Sequence, residues 1–115
     1  MKQKIFDILE KHCPQHVYLQ GTMNPEEEYP ADFVTFWTPN TEDAAHYDNA
    51  VAAVVWNFSV IYYSNDPRKV NTKPFEIAAD LKAAGFVQQG KGSDILSDEQ
   101  THTGWAMDFA YTEKL

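Results

Sequence analysis

The sequence has 115 residues, of which 43% are hydrophobic and 14% aromatic, and its formal net charge at pH 7 is -8. This length fits a single domain over residues 1–115, and the apolar content excludes a wholly disordered chain. No apolar run reaches the ~20 residues that span a bilayer, so we expect no membrane helix. The single cysteine, Cys13, excludes an internal disulfide and fits a reducing compartment.

The negative charge is concentrated in one part of the chain. No Lys or Arg occurs from residue 12 to residue 67. The same span contains the acids Glu26, Glu27, Glu28, Asp32, Glu42, Asp43, Asp48 and Asp66. Such a surface repels phosphate groups, so we expect no direct nucleic-acid binding. Solubility is its simplest role, and an acidic ring lumen or a decoy for a basic partner are the alternatives.

The first secondary-structure elements are predicted from the spacing of apolar residues and from the positions of helix-breaking residues. Four residues recur at i, i+3, i+4 and i+7: Ile5, Ile8, Leu9 and His12. They predict an amphipathic helix over residues 2–12, which Pro14 ends. Val17–Leu19 is predicted as a short strand, and the acidic, proline-containing residues 22–32 as a loop.

The central element is predicted from residues 53–64, AVVWNFSVIYYS, which have strand composition and no Pro or Gly. One of its faces is continuously apolar: Val54, Trp56, Phe58, Val60 and Tyr62. We expect this face to meet the helices, with Trp56 and Phe58 as core anchors. Ile61 and Tyr63 on the other face are candidates for subunit contacts. A strand is also predicted at residues 33–37, followed by a polar connection at 38–49 that admits a short helical turn.

The second half of the chain is likewise predicted to contain a helix and strands. A helix is predicted over residues 67–84, and Gly85 is a plausible left-handed residue at its end. Pro74 is predicted to divide this helix or to delay its start. The remaining predictions are a strand at 86–89, a turn at 90–94, a polar connection at 95–102 and a last strand at 105–112.

The predicted order is helix, strand, strand, strand, helix, strand, strand. This order indicates an α+β fold, in which a curved, mixed or antiparallel sheet of about four to five strands carries two main helices on one face. The many aromatic side chains of the strands are expected in the core or in an interface before a ligand site.

Two clusters contain metal-binding residue types: His12, Cys13 and His16, and Asp94, Asp98 and Glu99. In the first cluster Pro14 intervenes and no second thiol is available. The second cluster lacks the spacing and central glycine of a calcium loop. We therefore predict no metal site and no cofactor.

Three other groups resemble catalytic or phosphate-binding sets: the GKGS run at 90–93, His46 with Tyr47 and Asp48, and His102 with Asp108. The GKGS run lacks the full glycine spacing of a phosphate loop and is predicted to be a hairpin turn. The other two groups show no spacing of nucleophile, base and orienting residue, so we interpret them as surface polar residues. The sequence therefore predicts no catalytic residue and no enzyme.

The pattern and order of the elements extend over nearly the whole chain: KQKIFDILEKH (2–12), VYL (17–19), FVTFW (33–37), VVWNFSVIYYSND (54–66), LKAAGF (81–86) and THTGWAMDFAY (101–111). This layout resembles the small tail-completion or tail-terminator proteins of long-tailed bacteriophages and prophages, which sit at the head–tail joint. The long acidic segment 22–32 departs from the family pattern.

The resemblance implies a structural protein that self-associates into a ring, with a hexamer as one implied size, and ends the growth of the tail tube. Its implied partners are the major tail tube protein and the head connector proteins. It implies assembly in the cytoplasm of a bacterial host and a place in the virion tail or neck. The family contributes no catalytic residues.

A second interpretation is an acidic protein-binding module or a DNA-mimic inhibitor of a basic partner. The absence of Lys and Arg from residue 12 to residue 67 motivates it. A monomer that binds a basic protein would favour this interpretation, whereas a ring that docks on tail tubes would favour assembly.

The lack of ligand spacing and the single thiol generate the first testable prediction. A strong chelator together with a reductant is expected to leave the thermal melting curve unchanged, as followed by circular dichroism. A clear loss of structure would show that a metal or an intermolecular disulfide holds the fold.

Overall fold

A computed structural model of the chain describes residues 2–19, 31–47, 50–96 and 102–114. Within these residues the elements are α1 (Lys2–Glu10), β1 (Val17–Leu19), β2 (Asp32–Tyr47), β3 (Ala50–Ser64), α2 (Pro67–Ala83), β4 (Val87–Leu96) and β5 (Thr103–Lys114). The strands form one sheet in the order β1-β2-β3-β5-β4, in which β1 and β2 are parallel and all other neighbours are antiparallel. The predicted α+β fold with a mixed sheet and two helices is confirmed.

Helix α1 forms because its apolar residues share one face, which buries Ile5 and Leu9. It ends where the Leu9 carbonyl accepts hydrogen bonds from the backbone amides of His12 and Cys13. Gln15 has a φ of 67°, in the left-handed region, and turns the chain toward the sheet. The predicted helix and the short strand after it are confirmed.

Helix α2 begins at a well-formed cap. The Asp66 carboxylate accepts a hydrogen bond from the Arg68 amide at 3.0 Å, and Pro67 occupies the first turn, where proline is tolerated. The prediction that Pro74 would divide the helix or delay its start is wrong, because α2 is continuous from Pro67 to Ala83. A proline inside a helix costs about 3 kcal/mol, but Pro74 is buried on the core face, where its packing offsets part of that cost.

The core lies between the two helices and one face of the sheet. Its fully buried side chains include Phe58, Val60, Tyr62, Ile77, Leu81, Met107 and Phe109. Gly85, with a φ of 100°, reverses the chain after α2 as predicted, and the Phe86 amide bonds to the Leu81 carbonyl at 3.0 Å. The prediction that the Phe58 face of β3 meets the helices is confirmed.

The prediction of a polar connection at residues 38–49 is wrong for residues 38–47, and residues 48 and 49 lie outside the described residues. Strand β2 continues to Tyr47, and its residues from Asn40 to Tyr47 pair with β3 from Asn57 back to Ala50. The alternation of this stretch is hidden by polar residues, by Pro39 and by register shifts after Trp37 and Asp43. Backbone pairing with the strongly β-prone β3 outweighs the weak local propensity.

The turn predicted at residues 90–94 is also wrong. Strand β4 passes through this stretch and pairs again with β5 from Ser93 onward, after a register shift between Gln89 and Ser93. Gly90 and Gly92 have φ values of 77° and 99° and form this irregularity. Gly92 has a steric reason as well, because a Cβ there would lie 2.3 Å from the Trp105 Nε1. Residues 95 and 96 of the predicted polar connection belong to β4, and residues 97–101 lie outside the described residues.

Trp56 is not the core anchor that the sequence predicts. Its ring is half-buried and stacks against Phe58 at 6.3 Å, and its Nε1 donates a hydrogen bond to the Glu113 carboxylate at 3.3 Å. Trp56 is only half-buried because it lies where the helices end and the sheet continues. Neither described helix has the length and apolar content needed to cross a lipid bilayer.

This difference in burial generates a prediction about stability. Replacement of Phe58, which is 1% exposed, by alanine leaves a cavity and is expected to lower the free energy of unfolding by roughly 3–5 kcal/mol. Trp56→Ala is expected to cost only about 1–2 kcal/mol, because its ring is half-exposed. Urea denaturation measures both values. Equal losses for the two variants would show that the helical layer covers Trp56 as fully as Phe58.

Candidate assembly surface

The strands are longer than the helices that cover them. Helix α2 has 17 residues, about 25 Å, whereas β3 has 15 residues, about 50 Å. Because α2 starts directly after β3 and runs back over it, it reaches only the middle of the sheet. There Phe86, just after the helix, contacts Phe58 with ring centroids 5.9 Å apart. The principal extents of the molecule, 53 × 28 × 22 Å, reflect this extension.

We call the part of the sheet beyond this point the β-arm, and define it as residues 40–47, 50–55 and 112–114 of β2, β3 and β5. On the helix side of the sheet, Lys4 of α1 contacts Tyr111, which directly precedes the β-arm part of β5. The Lys4 Nζ donates a hydrogen bond to the Tyr111 hydroxyl at 2.8 Å and lies 4.3 Å from the ring centroid. Val54 and Val55 alternate on the two faces of the β-arm, and both are only half-buried. Val54 and Val55 therefore give each face of the β-arm a partly exposed apolar residue.

The face of the sheet opposite the helices, here called the outer face, has two regions. Near the start of β2 it carries an aromatic cluster, in which Phe33 stacks on Tyr63 at 4.8 Å and lies 6.3 Å from Tyr18. Phe33 is 3% exposed and Ile61 is 8% exposed. The expectation that Ile61 and Tyr63 are open for subunit contacts is therefore wrong for the buried Ile61, and Tyr63 is half-buried.

Toward the β-arm the outer face is more accessible. Trp37, Ser59, Asp108 and Gln89 form one row across four strands, and Trp37 is 42% exposed. The next row ends at Val87, which is 65% exposed. This accessible region shifts the candidate contact surface from Ile61 toward Trp37 and Val87.

The predicted metal candidates of the N-terminal segment do not converge on one point. The His12 Nε2 lies 2.6 Å from an Asp80 carboxylate oxygen and joins α1 to α2. The His16 Nδ1 lies 3.3 Å from the Tyr18 hydroxyl, while Cys13 is buried beside the core. Among the described residues, no three His, Cys, Asp or Glu side chains could hold a metal ion.

The other candidates are likewise separated. Asp94 is exposed in β4 opposite Trp105, and Asp98 and Glu99 lie outside the described residues, as does Asp48. His102 contacts Phe33, with ring centroids 5.9 Å apart, whereas Asp108 lies six residues further on, about 20 Å along the strand. His46 and Tyr47 occupy the end of β2, where they pair with Val51 and Ala50.

One pocket of about 300 Å³ lies between the ends of the two helices and is lined by Ile8, Lys11, Asp80, Ala83 and Ala84. Of its lining side chains, Lys11 and Asp80 are ionisable, and the Asp80 carboxylate already pairs with His12.

A polar contact fixes the junction of β2, β3 and α2. The Tyr62 hydroxyl donates to an Asp32 carboxylate oxygen at 3.3 Å, and the Lys69 Nζ lies 3.7 Å from the other oxygen. Burial, and next the negative charge of Asp32, raise the pKa of the Tyr62 hydroxyl well above its usual value. Tyr62 therefore stays protonated and donates this bond over the whole physiological pH range.

Cys13 lies next to this junction. Burial, followed by the nearby charge of Asp32, raises the pKa of its thiol from an ordinary value near 9 to about 11. The thiolate is the nucleophilic form, so this cysteine is unreactive near neutral pH. A structural role fits it better than a catalytic or metal-binding one.

No known protein-family model matches the sequence, and no curated protein matches it.

The raised pKa of Cys13 generates a prediction with a defined sign. Above pH 9 the unfolded chain loses this proton while the folded chain keeps it, so the unfolded state binds fewer protons and stability falls as pH rises. We expect an additional loss of unfolding free energy between pH 9 and about 11. Urea denaturation of the parent and of Cys13→Ala at pH 7, 9 and 11 measures it, and the variant is expected to show the shallower decline. Parallel declines would contradict the assignment.

Proposed function

We propose that this chain is a structural virion-assembly protein of a long-tailed phage or prophage, similar to tail-terminator and tail-completion proteins. In this role it forms a ring at the head–tail joint and ends the growth of the tail tube. It is not an enzyme. Its partners are further copies of itself, the major tail tube protein and the head connector, with assembly in the bacterial cytoplasm and a final place in the tail or neck.

The observation that carries the proposal is the β-arm, whose described apolar side chains are only half-buried. A sheet that bears apolar residues is stable when another layer covers them. In the described residues the helices cover the Phe58 half of the sheet, while Val54, Val55 and Trp56 at the other end are only half-buried. A protein that works alone gains nothing from this extension, whereas an assembly subunit uses it to reach its neighbours.

The charge distribution supports a second candidate, the acidic protein-binding module or DNA-mimic inhibitor. The net charge is -8, and Asp94 and Asp108 are exposed acids on β4 and β5. A basic partner would be attracted by this charge, with a strong dependence on salt. The two candidates differ in what they bind, so one pair of measurements separates them.

The proposal is tested with the isolated chain and with purified tail tubes. Light scattering is expected to detect association that increases with salt, because the Debye length falls from about 10 Å at 0.1 M to about 3 Å at 1 M and the acidic surfaces then repel each other less. Electron microscopy is expected to show rings on the ends of tubes, and tube polymerisation should stop when the chain is added.

A matched pair of variants shows whether the β-arm is responsible. Val54→Glu places a charge on the β-arm and is expected to prevent ring formation and tube capping while the chain remains folded. Asn71→Glu adds the same charge at an exposed position of α2, three residues after Arg68, and should behave like the parent. A parent chain that stays monomeric at every salt concentration, never caps tubes and instead binds basic proteins would establish the second candidate.

A further inference from the structure

The outer face of the sheet carries an exposed indole ring and an exposed carboxylate in the same row. Trp37 of β2, Ser59 of β3 and Asp108 of β5 are neighbours on successive strands. Trp37 is 42% exposed, and Asp108 is exposed as well. Adjacent strands lie about 4.8 Å apart, so the Cα atoms of Trp37 and Asp108 are about 10 Å apart. The side chain between them is the small hydroxymethyl group of Ser59, which fills little of that gap.

Trp37 differs from the other two tryptophans in its surroundings. The Trp56 Nε1 donates a hydrogen bond to the Glu113 carboxylate at 3.3 Å, and the Trp105 Nε1 donates one to the Lys91 carbonyl at 3.1 Å. Among the described residues, none accepts a hydrogen bond from the Trp37 Nε1 or stacks on its ring. The ring and the N–H group of Trp37 are therefore accessible to a ligand.

The carboxylate of Asp108 likewise lacks a partner within the described part of the chain. It forms no hydrogen bond or ion pair there, and Lys91, the lysine of β4, does not pair with it. Lys114 shares its face of β5 but lies six residues further along, about 20 Å away. In a chain with a net charge of -8, this carboxylate attracts a cation from outside.

The two groups together match the chemistry of a guanidinium. A cation is attracted to the face of an indole when it lies within about 6 Å of the ring centroid. A carboxylate accepts hydrogen bonds from a guanidinium at about 2.8 Å. These two reaches together span the gap between Trp37 and Asp108. Arginine fits better than lysine, because its planar group can stack on the ring while its edge donates two parallel hydrogen bonds.

Charge separates this ligand from others that stack on tryptophan. A nucleic-acid base would stack on Trp37, but its phosphates would meet Asp108 and the net charge of -8. A neutral sugar ring would use the indole and gain nothing from the charge of Asp108. Only a cationic ligand uses both groups.

We propose that Trp37 and Asp108 form a binding site for an arginine side chain of a partner protein, with the guanidinium on the indole face and paired with the carboxylate. Val87, in the next row, offers an apolar contact to the segment that carries the arginine, and the Gln89 amide offers a polar one. The site does not rest on the tail-assembly role, because it concerns the side chain that the surface recognises and not the protein that presents it.

The site is tested by NMR with a small peptide, acetyl-Gly-Arg-Gly-amide, at low salt. Each of the three tryptophans gives one indole N–H signal, and Trp37→Leu identifies the signal of Trp37. The peptide is expected to shift the Trp37 signal progressively, while the hydrogen-bonded indoles of Trp56 and Trp105 stay in place. The same peptide with citrulline, which has the shape of arginine without its charge, is expected to leave all three signals unchanged.

A matched pair of charge variants shows whether Asp108 takes part. Asp108→Asn is expected to weaken the binding of the arginine peptide by about two- to fivefold, the range of an exposed ion pair. Asp94→Asn removes the same charge from an exposed position opposite Trp105, on the helix side of the sheet, and is expected to change the affinity far less. Circular dichroism verifies that every variant is folded.

Three results would overturn the site. They are a Trp37 signal that the arginine peptide does not move, equal losses of affinity for Asp108→Asn and Asp94→Asn, and an equal response to the citrulline peptide or to a neutral oligosaccharide. Tube capping by the parent is measured separately. A chain that caps tubes without binding the arginine peptide keeps the proposed function and loses this site, and a chain that binds the peptide but never caps tubes does the reverse.

Discussion

The structure depends on how far the helical layer extends over the sheet. Both helices are anchored against the same patch of apolar residues, centred on Phe58 and Phe109. Burial of these large side chains supplies the main favourable term, at roughly 25 cal/mol for each Å² of apolar surface removed from water. Where the helices end, this term is lost, and the sheet continues with half-buried residues such as Val54 and Trp56.

The covered half of the molecule holds the orientation of everything else. The Asp66 cap fixes the start of α2, and Asp32, the first residue of β2, contacts both Tyr62 of β3 and Lys69 of α2. Because β2, β3 and β5 continue from this junction into the β-arm, a rigid core directs an extension whose described side chains Val54 and Val55 are half-buried. A stable base and an extension with partly exposed apolar side chains are what a subunit needs if its neighbours complete its packing.

Much of the fold could be predicted from local sequence patterns. The 3.6-residue repeat of α1 and the two-residue alternation of β3 and β5 are strong because burial on one face determines each residue choice. The extensions of β2 and β4 could not be predicted, since an edge or β-arm strand tolerates Pro39, Gly90, Gly92 and acidic residues, which resemble a loop. The prediction that Trp56 is buried failed for a related reason. The alternation of a strand shows which face a residue lies on, but it does not show how far the helices extend over that face.

The candidate surface was predictable only in part. The sequence pointed to the outer face of β3, but the aromatic cluster around Phe33 buries its Ile61 end. The accessible residues Trp37, Phe75 and Val87 come from three elements, and only the strand order shows that they flank two opposite edges. No spacing in one sequence contains that information, because it depends on which strands end the sheet.

The central claim is that neighbouring subunits pack against the β-arm. Hydrogen–deuterium exchange of the backbone amides of residues 40–47 and 112–114, measured at low and high protein concentration and on capped tubes, tests it most directly. The account predicts that these amides become protected on assembly while those of residues 56–64 in the core part of β3 do not change. Exchange of the β-arm amides that is identical in every sample, including the capped tubes, would contradict it.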